Sequence, residues 1–547
     1  MQVHRFTSRW AARLAGDGGA SLKKSLSIAL ALGAGALTAY LSFAPVGWWW
    51  FAFIGMGALA YLVRTATSFS AGALIGFTFG LAYFIVGVSW VRISMHEFGN
   101  MPLALAWFSA VLFCSYLAIY PMLACAFTAW AKPKSRFFFA FVFASAWAFS
   151  EYLRAFLFTG FEWLSIGATQ TNGVFSFQGF VPIVGATGVG WLIVFASALT
   201  LSALKLKDSY LEKALPSTPK LIIGFGNFVG WAQMVGWMVA WAVLAALALN
   251  VTTWGEPTGK PLRLSLLQGN IEQSLKWDPA RFQATLATYE KLVREAKGEL
   301  IILPETAIPN LLDRVPREYV ERLQSIAKEK RANLVIGVPI EDNGKYYNAA
   351  VSFGIDPPQQ YRKVHLVPFG EYMPLQGVLG WFYRNLQIPM SNFAAGDPNQ
   401  PLMTLNGQTL GISICYEDAF ARDVHRTLPD ATLLVNISND AWFGKSAAAE
   451  QHLQLAQLRA IEQARPMVRA NNTGITAVID AKGRVADRIP SWQTGILEAT
   501  VQGAKGYTPY MVWGDLPLLI VCLAGLGIAA AQRPRRERAN GDAPKAA

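Results

Sequence analysis

Charge is scarce in this 547-residue chain: 15% of its residues are Asp, Glu, Lys or Arg and 53% are hydrophobic, where an ordinary soluble domain carries about 25% charged residues. With a mean hydropathy of +0.30, that shortage excludes a single water-soluble globule. Cysteine is also rare. Of four, Cys114, Cys125 and Cys522 lie in apolar runs where a thiol behaves as a small hydrophobe. Only Cys415 lies in the more polar half, so no disulfide framework is available there, and no CxxC or Cys/His cluster suggests zinc. The five histidines, His4, His96, His365, His425 and His452, are scattered and form no HExxH. Neither a metal nor a cofactor is expected.

The shortage of charge is uneven. Residues 1–250 hold 15 Lys/Arg and 6 Asp/Glu, while residues 251–547 hold 32 and 29. The net charge of +12 divides accordingly into +9 and +3. That excess sits beside apolar spans, where it sets membrane orientation and gives no sign of nucleic-acid binding.

A bilayer core about 30 Å thick is crossed by about 20 apolar residues in a helix. Runs near 25–43, 47–63, 71–91, 103–130, 137–158, 183–204 and 221–249 qualify, and a shorter eighth follows at 516–531. Basic residues recur on alternate sides of these spans: at Arg5, Arg9, Arg13, Lys23 and Lys24, at Arg64, at Lys132, Lys134 and Arg136, at Lys205, Lys207, Lys213 and Lys220, and from Arg533 onward. The positive-inside rule then places both termini in the cytoplasm and residues 251–514 on the far side, which in a bacterium is periplasmic. The first run is long and six more follow it before the polar half, so it reads as an uncleaved helix. Three units result: a membrane domain over 1–250 with seven spans, an extracytoplasmic domain over 251–514, and a final span with a basic tail over 515–547.

Within 251–514 short apolar runs alternate with amphipathic ones. LRLSLLQ (262–268), ELIIL (299–303), ANLVIGV (332–338), YNAAVSF (347–353), QTLGISI (408–414), ATLLVNI (431–437) and ITAVID (475–480) read as strands. Asp278 and Pro279 start a helix whose Phe282, Leu286, Tyr289 and Val293 share a face, with Gly298 as its stop. Segments 316–330 and 446–465 are also helical. The alternation implies an α/β domain of buried sheets covered by helices.

Three residues stand where chemistry can sit. Glu305 follows ELIILP, at the end of an apolar strand; alone it reads as readily as a solvated carboxylate. Cys415 follows QTLGISI at another strand end, with a helix start beside it that would lower the thiol's pKa; alone it reads as a buried inert thiol. Lys363, in QYRKVHLVPFGEYMP, reads alone as solvated. Together, a carboxylate that takes a thiol proton and an ammonium that holds a tetrahedral oxyanion make a sufficient acyl-transfer set around one thiol.

The motifs PETAIP (304–309), RKVHLVPFGEYMP (362–374), CYED (415–418), NISNDAWFG (436–444) and QGNIEQSLKWD (268–278) resemble those of the apolipoprotein N-acyltransferase family. The resemblance covers nearly the whole chain, because that family joins several membrane helices to a nitrilase-like αββα sandwich and one last helix. It implies Glu305 as general base, Lys363 as oxyanion stabiliser and Cys415 as nucleophile. Glu371 and Glu417 are implied in support, the Tyr416 amide as an oxyanion donor, and Trp277, Trp442, Phe443 and Gly444 around the substrate cavity. One departure is Glu162 in TGFEWL, where the family's pattern has proline; it lies outside the catalytic set.

The resemblance also implies a phospholipid acyl donor, phosphatidylethanolamine, and an acceptor amine on the diacylglyceryl cysteine of an apolipoprotein. Location in the bacterial inner membrane, as a monomer, is expected. The stretch Pro374 to Pro389, with Leu379, Trp381, Phe382, Tyr383 and Arg384, has the aromatic and basic character of a membrane interface and reads as a lid beside the site, or as an ordinary packed loop. The rival reading is a membrane-anchored nitrilase or amidase acting on small amides with the same triad. Eight spans exceed what a small soluble substrate requires. A transporter is disfavoured because intramembrane charges are sparse, Glu151 and Arg154 being the clearest.

Overall fold

A computed structural model describes residues 24–173, 175–214, 253–373 and 392–533, with scattered positions between 233 and 247. Among them, four helices are long and apolar enough to cross a membrane: Lys24–Ser42, Phe69–Val88, Leu103–Ala131 and Phe177–Thr200. Phe51–Thr65 and Leu516–Ala531 are shorter apolar helices, and Arg136–Phe156 is a longer one that carries Glu151 and Arg154. Apart from those scattered positions, the expected run at 221–249 lies outside the described residues, so eight spans are not established.

Helix starts follow local chemistry. Ser68 and Ser135 accept the first free amides, from Ala71 and Phe138. Helices Phe69–Val88 and Leu103–Ala131 pack closely because glycines recur every four residues on one face. A Cβ at Gly76 would stand 2.5 Å from the Pro121 carbonyl, and one at Gly72 would stand 2.6 Å from the Ala129 Cβ.

The second half is two six-stranded sheets. The first has the order β12 (Gly495–Lys505), β1 (Glu256–Gln268), β2 (Leu300–Ile302), β3 (Asn333–Asp342), β4 (Lys345–Gly354), β5 (Gln360–Arg362), parallel only through β1, β2 and β3. The second runs β11 (Val485–Ile489), β10 (Thr476–Ile479), β9 (Met467–Asn471), β8 (Leu433–Ser438), β7 (Gln408–Ile414), β6 (Met403–Leu405), parallel through β7, β8 and β9. Leu264, Leu266, Ile302 and Val335 of one sheet meet Ile412, Ile414, Val435 and Val468 of the other in a dry layer. Helices Pro279–Glu295 and Arg317–Glu329 cover the outer face of the first sheet, and Ala448–Gln463 covers that of the second. The expected αββα sandwich is therefore present.

Its strands differ from the sequence reading in extent. All seven expected strands form, but β5, β6, β9, β11 and β12 had no such expectation. β12 pairs antiparallel with β1 from Glu256 to Gln268, which lengthens β1 beyond its apolar core. Asp278 caps its helix as expected, accepting from the Ala280 amide at 2.9 Å. Gly298, expected to stop that helix, has another role. The helix ends at Glu295, and a Cβ at Gly298 would stand 2.5 Å from the Ser265 nitrogen, so glycine is needed where chain meets sheet.

Helix Ala448–Gln463 is buried almost all round because the membrane half covers the face that the sheet does not. Glutamines spaced along it meet that half: Gln454 accepts from the Ala44 amide at 3.2 Å, and Gln457 donates to Asn172 at 3.2 Å. Gln451 accepts from the indoles of Trp90 and Trp163 at 3.1 and 2.8 Å and donates to the Gly87 carbonyl at 3.2 Å. These three glutamines are matched across the joint.

Candidate active site

Three strand ends bring the expected triad together. Glu305 follows β2 after Leu303 and Pro304, Lys363 follows β5, and Cys415 follows β7. Lys363 lies at 1% exposure, with its ammonium 3.6 Å from Glu305 Oε1 and 2.9 Å from Glu371. Asn348 on β4 donates to both carboxylates, at 2.7 Å to Glu305 and 2.8 Å to Glu371. Burial alone would lower Lys363, but Glu371 and Glu305 overcome it and hold the ammonium above its ordinary range. Charges on Glu305 and Lys363 both act on the Cys415 thiol, in opposite directions.

Glu417 ties the lysine loop to the nucleophile turn. Its Oε1 accepts from the amides of Val364 and His365 at 2.7 and 3.0 Å, its Oε2 accepts from the Ile414 amide at 2.7 Å, and Tyr361 donates to both oxygens. A carboxylate with four donors at fully buried depth is a structural strut. Its carboxyl is nonetheless raised, because burial outweighs Lys363 and the amides.

The expectation that a helix start lowers the Cys415 pKa is overturned. Only a short 3-10 turn, Cys415–Ala419, follows the strand, and burial together with the Glu305 charge pushes the thiol up. The resting sulfur is a thiol, so an adjacent base has to remove its proton. Cys415 also has φ +54°, a left-handed conformation that costs a residue with a Cβ about 1–2 kcal/mol. Interactions beneath it hold that turn.

Those interactions form a buried cage of four charges that the sequence reading missed. His452 faces Asp440 at 2.8 Å and Asp418 at 2.7 Å, with the Cys415 carbonyl 3.3 Å from Nε2. Arg469 donates to Asp418 at 2.8 Å and Asp440 at 3.2 Å. Burial and Arg469 press His452 downward, yet the two aspartates prevail and raise it to about 9. Asp440 shifts the other way: His452 and Arg469 outweigh burial and lower it. Asn436 adds a bond to the Cys415 carbonyl at 3.2 Å.

The other expected residues are spread around this centre. The Tyr416 hydroxyl donates to the Gly160 carbonyl of the membrane half at 3.2 Å, and its ring stacks on Trp163. Trp277 is half-buried, and its indole N–H has no partner among the described residues. The 442–444 segment docks onto the membrane half: Ser94 donates to the Trp442 carbonyl at 2.7 Å, Phe443 meets Trp90 edge to face at 4.5 Å, and Gly444 at φ +55° leaves room for Ile93. Trp381 and Phe382, with the rest of the expected lid, lie outside the described residues. Glu162 sits 3.9 Å from Arg459, and burial, partly offset by that guanidinium, raises it to about 7.

A second lysine was also missed. Lys276, in the QGNIEQSLKWD segment, is 3% exposed and donates to the Glu305 carbonyl at 3.2 Å. Burial lowers it to about 8, though Glu305 and Cys415 pull it upward. Its proximity to a strand-end carboxylate 29 residues away leaves no mark in local pattern.

A buried thiol, a carboxylate and an ammonium at converging strand ends of an αββα sandwich define a carbon–nitrogen-hydrolase-type domain, here joined to membrane helices. Residues 263–507 match the carbon-nitrogen hydrolase family model, and residues 34–199 match the model for the apolipoprotein N-acyltransferase N-terminal domain. The chain is 38% identical over 508 residues to the apolipoprotein N-acyltransferase of Nitrosomonas europaea, covering 92% of this chain and 96% of that one. It is 38% identical to that of Methylococcus capsulatus over 92% and 96% of the two chains, and 36% identical to that of Haemophilus influenzae over 89% and 91%. The chain belongs to the apolipoprotein N-acyltransferase family.

Proposed function

We propose that this chain moves a fatty acyl group from a membrane phospholipid to the α-amino group of an apolipoprotein's diacylglyceryl cysteine, through a thioester on Cys415. Glu305 takes the thiol proton as the sulfur attacks the donor ester, and Lys363 holds the negative charge on the tetrahedral oxygen, with the Tyr416 amide adding a donor. The lysophospholipid leaves with the proton from Glu305. The acceptor amine then attacks the thioester, Glu305 takes the amine proton, and the sulfur leaves and is reprotonated. Phosphatidylethanolamine is the donor in this reading, and one copy of the chain suffices.

The observation that carries the proposal is the convergence of Glu305 and Lys363 on a buried Cys415, whose thiol burial holds above its ordinary range, at the joint with the apolar helices. A thioester that lasts until an amine arrives needs water kept away, and a site opening toward lipid provides that. The reading sets eight spans, both termini in the cytoplasm and the sandwich on the periplasmic face of the inner membrane.

Intact-protein mass measurement after incubation with phosphatidylethanolamine vesicles tests it. The expected result is one fatty acyl adduct, mapped to Cys415, released by a diacylglyceryl peptide amine and missing in Glu305→Ala. Absence of an adduct in wild type, with turnover of small amides in detergent alone, would favour the amidase reading.

A further inference from the structure

The catalytic space holds two carboxylates, Glu305 and Glu371, and a thiol that must become a thiolate. Lys363 lies 2.9 Å from Glu371 and 3.6 Å from Glu305, so its single charge is already shared between two anions. Without another cation the cluster would carry a net negative charge, which opposes ionisation of the sulfur in a buried site.

Lys276 supplies that cation. Among the described residues the Glu305 carbonyl is its one hydrogen-bond acceptor, whereas an ammonium has three donors. It is held in place from outside: Gln273, three residues earlier, accepts from Asn439 at 2.7 Å, and Asn472 exchanges bonds with the Ile271 backbone at 3.0 and 2.7 Å. These bonds fix the loop after β1 against the ends of β8 and β9, beside the Cys415 turn. Among the described residues, two of the donors therefore have no partner, inside a buried site whose ionisable neighbours are Glu305 and Cys415.

We propose that Lys276 is a second catalytic cation, which supports negative charge on the Cys415 sulfur while Lys363 serves the acyl oxygen. The proposal rests on the acyl-transfer reading for its role in turnover, though not for its effect on the thiol. In each half-reaction the sulfur is most negative as it enters or leaves the carbonyl; with the proton then on Glu305, the charges of Glu371, Lys363 and Lys276 sum to +1 and balance that of the sulfur. The proton that leaves sulfur goes to Glu305, so Lys276 transfers none and acts by charge alone.

Two variants separate charge from support of the Glu305 carbonyl. Lys276→Gln retains an N–H donor near that carbonyl without charge, and Lys276→Met retains only the stem. Full-length protein in nanodiscs is assayed for Cys415 alkylation by iodoacetamide at pH 7 and for single-turnover acylation from phosphatidylethanolamine. Both variants should alkylate about tenfold more slowly, as for a thiol pKa one unit higher, and acylate about 100-fold more slowly, as for loss of one anion-stabilising donor. Wild-type acylation should fall above pH about 8 as Lys276 deprotonates, more steeply than in both variants, where the His452 cage beneath Cys415, titrating at about 9, acts alone. Lys363, held above its ordinary range by its two carboxylates, does not titrate in that window.

Lys276→Gln within threefold of wild type in both assays, with the alkaline fall retained, would overturn the proposal and leave Lys276 a strut. If both variants fail to fold, the wild-type profile decides, and a level rate from pH 7 to 9.5 overturns it. A wild type that alkylates but never acylates would defeat the acyl-transfer reading, and the alkylation comparison would still decide the effect of Lys276 on the thiol.

Discussion

Glu371 holds Lys363 more closely than Glu305 does, at 2.9 Å against 3.6 Å. The difference draws the ammonium aside and leaves the Glu305 carboxylate available to take a proton. In Glu371→Gln, Lys363 should fall back onto Glu305 and occupy the base. Acylation of Cys415 from phospholipid should slow about 10- to 1,000-fold, given the 1–3 unit effect of a close cation on a carboxylate. Single-turnover mass measurement checks this, and an unchanged rate would show that Glu371 only fills space.

His452 gives stability a pH dependence. Its folded pKa of about 9 lies above its ordinary 6.5, so its contribution is complete below pH 6.5, declines as pH rises, and is gone above about 9. Asp440, lowered in the fold from an ordinary 3.8, contributes above that value and loses its effect in stronger acid. Wild-type melting temperature in detergent should therefore decline from pH 6.5 to 9. His452→Leu leaves two aspartates facing one arginine and should cost about 3–5 kcal/mol, and its melting temperature should no longer decline over that range.

The cage also marks where sequence reading stops. Glu305 and Cys415 were legible because each ends an apolar run within a recognisable motif, and the run sets the strand that carries it; Lys363 was legible from its motif alone, since QYR before it is no apolar run. His452 was not, because its partners Asp418 and Asp440 lie 34 and 12 residues away and meet it only when β7 and β8 pair and helix Ala448–Gln463 folds over them. The direction of the Cys415 shift was misjudged for a related reason. A helix start is a local feature, whereas burial depends on both halves of the chain. β9 and β12 escaped because MVRAN and GILEATVQGAK are not apolar runs, and their pairing with β8 and β1 defines them.

Gln451 is the predicted point of failure at the joint between the two halves. Its side-chain oxygen accepts from both Trp90 and Trp163, and Trp163 packs on His452 and Tyr416, which flank the Cys415 turn. Gln451→Leu leaves the buried Trp163 indole without its acceptor, at about 1–3 kcal/mol, while Trp90 keeps its bond to the Gly87 carbonyl at 3.0 Å. Melting temperature should drop. A cycle with Trp163→Phe should show a coupling of about 1 kcal/mol, because the second change no longer removes the bond to Gln451. Strict additivity would mean that the glutamine acts by volume alone.

Glu417 gives the sharpest division between holding a site and reacting in it. Its oxygens accept from three backbone amides on two chain segments, Val364 and His365 beside Lys363, and Ile414 beside Cys415. An amide in its place turns one acceptor into a donor that faces other donors, so Glu417→Gln should move the lysine loop away from the nucleophile turn. The expected result is a fall of about 100-fold in kcat with donor KM unchanged, since a misplacement near 1 Å can cost that much. Tyr361→Phe removes only the phenol bonds to the same carboxylate and should lose less than tenfold. If Tyr361→Phe were as damaging as Glu417→Gln, the phenol would be the essential contact, and the amide clamp would not be what joins the two strand ends.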